Sequence, residues 1–200
     1  MMQIDRGSID FKSELLRKGI HFCSLSIPII YYFISKETAL SILLPLTVFT
    51  VLIDFSRHFI KSLNELIQNF FGFIMREHEN NSDKKNLNGA SYVLIGATIS
   101  IWLFPKIIFI TAFSMLIICD LAAALVGRRF GRIKFLYKSL EGTLAFFVFS
   151  IIVVLLTPKI EGLFLEIIIG IIGGGVGAII ENISYGWADD NLTIDIFCVL

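Results

Sequence analysis

The chain has 200 residues, 56% hydrophobic and 17% charged, with a mean hydropathy of +0.80 and no net charge. A soluble domain carries about 45–50% apolar and about 25% charged residues, so this composition excludes disorder and leans towards lipid. Zero net charge argues against a nucleic-acid partner, three scattered cysteines argue against a disulfide scaffold, and the length suits one domain over residues 1–200.

Residues 1–18 are polar and mixed in charge, unlike a cleavable leader, so the first apolar run is expected to stay in the membrane. A span needs about 20 mostly apolar residues. Six are read: Ile20–Ile34 (extended back through Leu15 and Leu16), Thr38–Phe55, Ala90–Phe104, Lys106–Gly127, Thr143–Thr157 and Gly162–Asn182. Pro105 and Pro158 suit tight turns between spans. Between the second and third spans, His58–Met75 places Phe59, Leu63, Leu66, Ile67, Phe70 and Ile74 at helical spacing among polar residues, an amphipathic helix for the interface or the bundle surface. Arg76–Asn88 is a polar loop, and Asn191–Leu200 is apolar but too short to cross. The expected fold is all-α, a polytopic membrane helical bundle. Of the 17 Lys and Arg residues, 14 fall on the side of the termini, and Lys36, Lys106 and Lys159 on the other. Lys and Arg are retained inside, so both termini are expected to be cytoplasmic.

The charged residues are not scattered. Glu14, Arg17, Lys18 and His21 share one helix face at the inner mouth of the first span, as a solvated helix entry also would. Asp120 lies inside the fourth span, seven residues before its inner end, roughly 10 Å deep at 1.5 Å per residue. A carboxylate there costs about 2.5–3.5 kcal/mol on insertion scales. A cation, a metal or a wet cavity must compensate it. Ala123, Ala124 and Gly127 share its face, and small residues let a helix or a ligand come close.

The stretch from Gly127 to Thr143, GRRFGRIKFLYKSLEGT, puts five bases in a short loop. Gly127 and Gly131 leave room for backbone amides to approach an anion. Lys138, Ser139 and Thr143 can donate to phosphate oxygens, and Glu141 can hold a metal or orient Lys138. A basic loop on lipid headgroups explains the bases but not the Lys-Ser-x-Glu-Gly-Thr order. No P-loop pattern is present. Glu181, Asp189, Asp190 and Asn191 gather at the inner end of the sixth span. Oxygen donors beside a basic loop suit a Mg²⁺–nucleotide site, although a solvated helix end has the same composition. Asp54 is a weaker member of the set, and Asn88–Tyr92 opens the third span as a turn and cap that can line the same cavity. The glycines between Gly170 and Gly177 follow no strand and read as helix packing. Asn182-Ile-Ser and Asn191-Leu-Thr are sequons on the cytoplasmic side and are expected to be unused.

Asp120-x-x-Ala123-x-x-x-Gly127-x-x-x-Gly131-x-x-Lys134-x-x-x-Lys138-Ser139-x-Glu141-Gly142-Thr143-x-Ala145 closely resembles the signature of the CTP-dependent polyprenol kinases. That family includes dolichol and phytol kinases and CTP-using diacylglycerol kinases, and is related to phosphatidate cytidylyltransferases. Arg17-Lys18-x-x-His21, Gly89-Ala90-Ser91-Tyr92 and Glu181…Asp190-Asn191 also look like family features. The resemblance implies one integral-membrane catalytic domain that transfers the γ-phosphate of CTP to a lipid alcohol on the cytoplasmic side, with Mg²⁺ as cofactor. It implies that Lys138, Ser139, Arg128, Lys134, Gly142, Thr143 and the Gly127 and Gly131 amides hold the triphosphate. Asp120, Glu181 and Asp190 would hold Mg²⁺, with Asp120 and Lys138 at the reacting phosphate and Glu141 or His21 taking the alcohol proton. A phosphatidate cytidylyltransferase is the rival enzyme, and a small transporter the rival outside catalysis. The identity of the lipid alcohol and the oligomeric state stay open.

Overall fold

A computed structural model describes residues 11–57, 59–71, 87–160, 162 and 164–183, and these are mostly helical. In chain order they form α1 (Phe11–Cys23), α2 (Ser26–Phe33), α3 (Lys36–Ser56), α4 (Lys61–Phe71), α5 (Gly89–Leu103), α6 (Lys106–Phe130), β1 (Lys134–Phe135), β2 (Lys138–Ser139), α7 (Leu140–Leu156) and α8 (Phe164–Ile183). Three helix starts are fixed by short polar side chains that accept an orphan backbone N–H. Ser35 accepts from Thr38 at 3.2 Å, Asn88 from Ser91 at 2.9 Å and Ser139 from Gly142 at 3.2 Å. By length and composition α3, α6 and α8 can cross a membrane, while α5 and α7 are shorter apolar helices.

The first expected span is not one helix. It breaks at Ser24–Leu25 into α1 and α2. Pro28 has no N–H to donate to the Ser24 carbonyl, and its ring crowds that oxygen. The chain tightens instead: Ser24, Leu25 and Ile27 donate to His21, Phe22 and Ser24 at 2.9–3.0 Å, each three residues back. The amphipathic stretch is helical over Lys61–Phe71, and the rest of that expectation, His58 and 72–75, lies outside the described residues. The loop before α7 holds a short antiparallel hairpin that helical periodicity cannot announce, pairing Lys134 with Ser139 and Phe135 with Lys138.

Helix α6 is the axis of the bundle, packing against α1, α2, α5 and α7, with α8 on α7 and α3 on α5. Phe109, Phe113, Leu116, Ile117 and Cys119 on α6 are fully buried. Tyr31 of α2 meets Phe109 edge-on with centroids 5.5 Å apart, and Phe109 stacks on Phe113 at 5.1 Å. In contrast, α3 and α8 leave large apolar side chains such as Phe49, Leu52, Ile169 and Ile172 exposed, as a lipid-facing surface requires. On α8, Gly170 and Gly174 allow close approach to α7: a Cβ at 170 would lie 2.8 Å from Val154, and one at 174 would collide with Ser150.

Lys36, Lys106 and Lys159 each cap a helix end. Lys36 donates to the Trp102 carbonyl at 2.7 Å and Lys106 to that of Ile34 at 2.8 Å. Lys159 donates to Thr157 at 2.6 Å and also to Val154.

Candidate functional site

The opposite end of the bundle collects the buried charges. Asp120, on the inner half of α6, is 3% exposed and forms an ion pair with Lys18 of α1, itself 5% exposed. His21 follows Lys18 by one helical turn, and its Nε2 is buried with no hydrogen-bond partner. Both His21 and Lys138 lie within Coulombic reach of Asp120. Lys138, on β2, places Nζ 2.6 Å from Oε1 of Glu181 on α8. Glu181 is buried and Lys138 only partly so. Two lysine–carboxylate pairs, drawn from α1, α6, β2 and α8, thus form one charged cluster. Desolvated charges at this density persist only when paired.

The loop that presents Lys138 is held from two sides. Asn182, adjacent to Glu181 and fully buried, accepts from the backbone N–H groups of Tyr137 and Lys138 at 3.0 and 3.1 Å. Its Nδ2 donates to the Thr143 hydroxyl at 2.6 Å, and that hydroxyl donates to the Ser139 carbonyl at 3.2 Å. On the other side Glu141 accepts from the N–H groups of Arg132 at 2.9 Å and Ile133 at 3.2 Å. Its own backbone N–H, followed by these two, holds the Glu141 carboxyl below the usual glutamate range.

Glycines make the loop compact. A Cβ on Gly127 would sit 2.9 Å from Ser139 Oγ, and one on Gly142 would sit 3.0 Å from the Ala123 carbonyl and 3.2 Å from Gly127 Cα. Gly127 and Gly142 therefore let α6 and α7 touch through their backbones. The Gly131 N–H closes the end of α6 on the Gly127 carbonyl at 3.0 Å.

Of the residues singled out in the sequence, Asp120, His21, Lys138 and Glu181 come together, with Ser139, Thr143, Gly127, Gly131, Gly142 and Glu141 building the frame beside them. Arg128 is half-buried at the end of α6, and Lys134 is exposed on β1. Asp190, with Asp189 and Asn191, lies outside the described residues, and so does the Glu14 side chain. Among the described residues no three His, Cys, Asp or Glu side chains converge as a metal site. Asp54 serves a different junction. It accepts from the Asn88 N–H at 2.6 Å, Asn88 Nδ2 at 3.1 Å and Ser91 Oγ at 3.0 Å, and pairs with Arg57, so it ties the end of α3 to the start of α5.

One pairing and one residue are not legible in the sequence. The sequence puts Lys18 on the charged face at the mouth of the first span but does not name Asp120 as its partner. Asn182 was read as part of an idle sequon, although an amide at the end of an apolar run beside Glu181 is itself a sign of buried polar work.

The chain is 32% identical over 194 residues to an uncharacterized protein of Rickettsia prowazekii, covering 95% of this chain and 94% of that one. This chain belongs to the same family as the rickettsial protein. It is also distantly similar, at 26% identity over 221 residues, to the CTP-dependent diacylglycerol kinase 1 of Eremothecium gossypii, covering 97% of this chain and 68% of the kinase. No family model matches the chain. No solved structure matches it.

Proposed function

We propose that this protein is a membrane-embedded lipid kinase that moves the γ-phosphate of CTP to the hydroxyl of a lipid alcohol, polyprenol-like or diacylglycerol. The observation that carries the reading is the buried cluster Lys18–Asp120 and Lys138–Glu181, set beside a basic loop in a chain that aligns along nearly its whole length with a CTP-dependent diacylglycerol kinase. Phosphoryl transfer asks for positioning and neutralised charge more than for covalent chemistry. The lipid oxygen bonds to the γ-phosphorus, the bond from that phosphorus to the β-bridging oxygen breaks, CDP leaves, and the hydroxyl proton passes to a base.

The chain's own residues divide this work. Lys138, Arg128 and Lys134 meet the triphosphate, while Ser139, Thr143, Gly127, Gly131 and Gly142 keep the loop in the shape that presents them. His21 Nε2, buried and unpartnered beside Asp120, is better placed to take the proton than Glu141, whose carboxylate is engaged by backbone N–H groups. Asp120 and Glu181 would supply oxygen donors to Mg²⁺ once their lysines turn to the phosphates, and Asp190, outside the described residues, is the third donor the reading asks for. When bound, the ion neutralises charge on the phosphates. Six crossings would put this end of the bundle at the cytoplasmic face, where nucleotide is available.

The deciding experiment gives the purified protein CTP labelled at the α or γ position, with prenols, diacylglycerol and phosphatidate in turn. Organic-soluble label from γ-labelled CTP alone, with an alcohol acceptor, is expected. Lipid label from α-labelled CTP and phosphatidate would make the protein a cytidylyltransferase instead. No transfer to any lipid, together with uptake into vesicles without nucleotide, would make it a transporter.

A further inference from the structure

The loop between α6 and α7 has two ends of opposite character. Its root is fixed: Glu141 holds the N–H groups of Arg132 and Ile133, the Leu140 N–H donates to the Ile133 carbonyl at 2.8 Å, and Asn182 holds Tyr137 and Lys138. Its tip is apolar and open. Phe130 at the end of α6 and Ile133, Leu136 and Tyr137 beyond it are each about half exposed, with Phe135 close behind, although all lie outside the apolar runs of the bundle. Arg129 precedes Phe130 and Arg132 precedes Ile133, and both are exposed.

Leu136 sharpens the point. It occupies the two-residue turn of the hairpin with φ +51°, a left-handed conformation that suits Gly or Asn and crowds a bulkier side chain. At 49% exposure it recovers little of that steric cost inside the fold. Apolar and aromatic side chains interleaved with arginines, at and beyond the end of α6, match the headgroup zone of a bilayer. There the apolar groups reach the acyl boundary and the bases meet lipid phosphates.

We infer that the β1–β2 hairpin is a membrane-surface anchor, with Phe135, Leu136 and Tyr137 inserted at headgroup level and Arg129 and Arg132 on anionic lipid phosphates. The same bilayer that surrounds the helices is the partner, chosen by the positive charge of the flanks and by the proximity of the hairpin to the helix ends. Since β2 carries Lys138, the anchor fixes the height of that lysine relative to the lipid surface. The inference requires a membrane-embedded chain and does not depend on the kinase reading.

The test replaces Trp102 and Trp187 by Phe and places a reporter at the turn, Leu136→Trp. The protein is reconstituted into vesicles of phosphatidylcholine alone or mixed with phosphatidylglycerol. Brominated acyl chains should quench the reporter and aqueous iodide should not, with quenching about twofold stronger when anionic lipid is present. Adding Arg129→Gln and Arg132→Gln should abolish that increment and leave quenching in phosphatidylcholine unchanged. Phe135→Trp serves as a second reporter where Leu136→Trp folds poorly. A reporter reached by iodide and spared by brominated lipid overturns the anchor, and an increment that survives loss of both arginines overturns their role. Quenching that varies with protein-to-lipid ratio identifies a second copy as the occupant and also overturns it.

Discussion

Lys18 and Asp120 are both withdrawn from water and face one another across α1 and α6. Burying the two charges costs about as much as their attraction returns, whereas removing one partner strands the other at a cost of about 3–5 kcal/mol. Asp120→Asn is therefore expected to lower both thermal stability in detergent and lipid phosphorylation. Adding Lys18→Met should restore the unfolding midpoint and leave turnover lost. A double variant that recovers turnover would make the pair structural alone. The need for a partner was legible in the sequence, because a carboxylate in an apolar run must be compensated. Its identity was not, because 102 positions separate Lys18 from Asp120 and periodicity carries no information about which helices touch.

At the scale of elements, the α7–α8 seam depends on the absence of side chains. Gly174 faces buried Ser150, where a Cβ would collide, while nothing lies within 4 Å of a Cβ on neighbouring Gly173. Gly174→Ala should destabilise by about 1–3 kcal/mol through overpacking. Gly173→Ala should be neutral or stabilising, by up to about 1 kcal/mol through helix propensity. Thermal unfolding of the two variants side by side checks this, and equal effects would refute the seam. Helix positions were readable because apolar runs are separated by polar stretches, by Pro105 and Pro158, and by the cap at Asn88; the caps at Ser35 and Ser139 emerge from the structure. The break between α1 and α2 was missed because hydrophobicity runs straight through Pro28, whose effect is on the backbone and not on the apolar count. The hairpin was missed because two-residue strands leave no alternation to read.

For the whole molecule, charge asymmetry and helix capping bear on the same question. Lys36, Lys106 and Lys159 spend their ammonium groups on helix ends, while the many bases of the other end include an exposed set. Orientation should therefore follow the basic end, with residues 128–138 inside. In protein cleared of native thiols, Lys134→Cys should resist a membrane-impermeant maleimide in intact cells and react once the membrane is opened. Reaction from outside would invert the topology and remove the cluster from the nucleotide's compartment.

The interruption at Ser24–Leu25 has a mechanical consequence. Helix α2 is pinned by Tyr31 against Phe109 and by Lys106 on the Ile34 carbonyl, whereas α1 bears Lys18 and His21 on the far side of the break. The break separates the charged helix from the aromatic anchor, so a displacement of α1 that parts Lys18 from Asp120 need not disturb Tyr31 or Phe109. Pro28→Ala would return the missing N–H and join α1 to α2 as one rod. Amides from Ser24 to Ile27 should then exchange hydrogen more slowly, and turnover should fall. Unchanged exchange and turnover would show that the joint does not move.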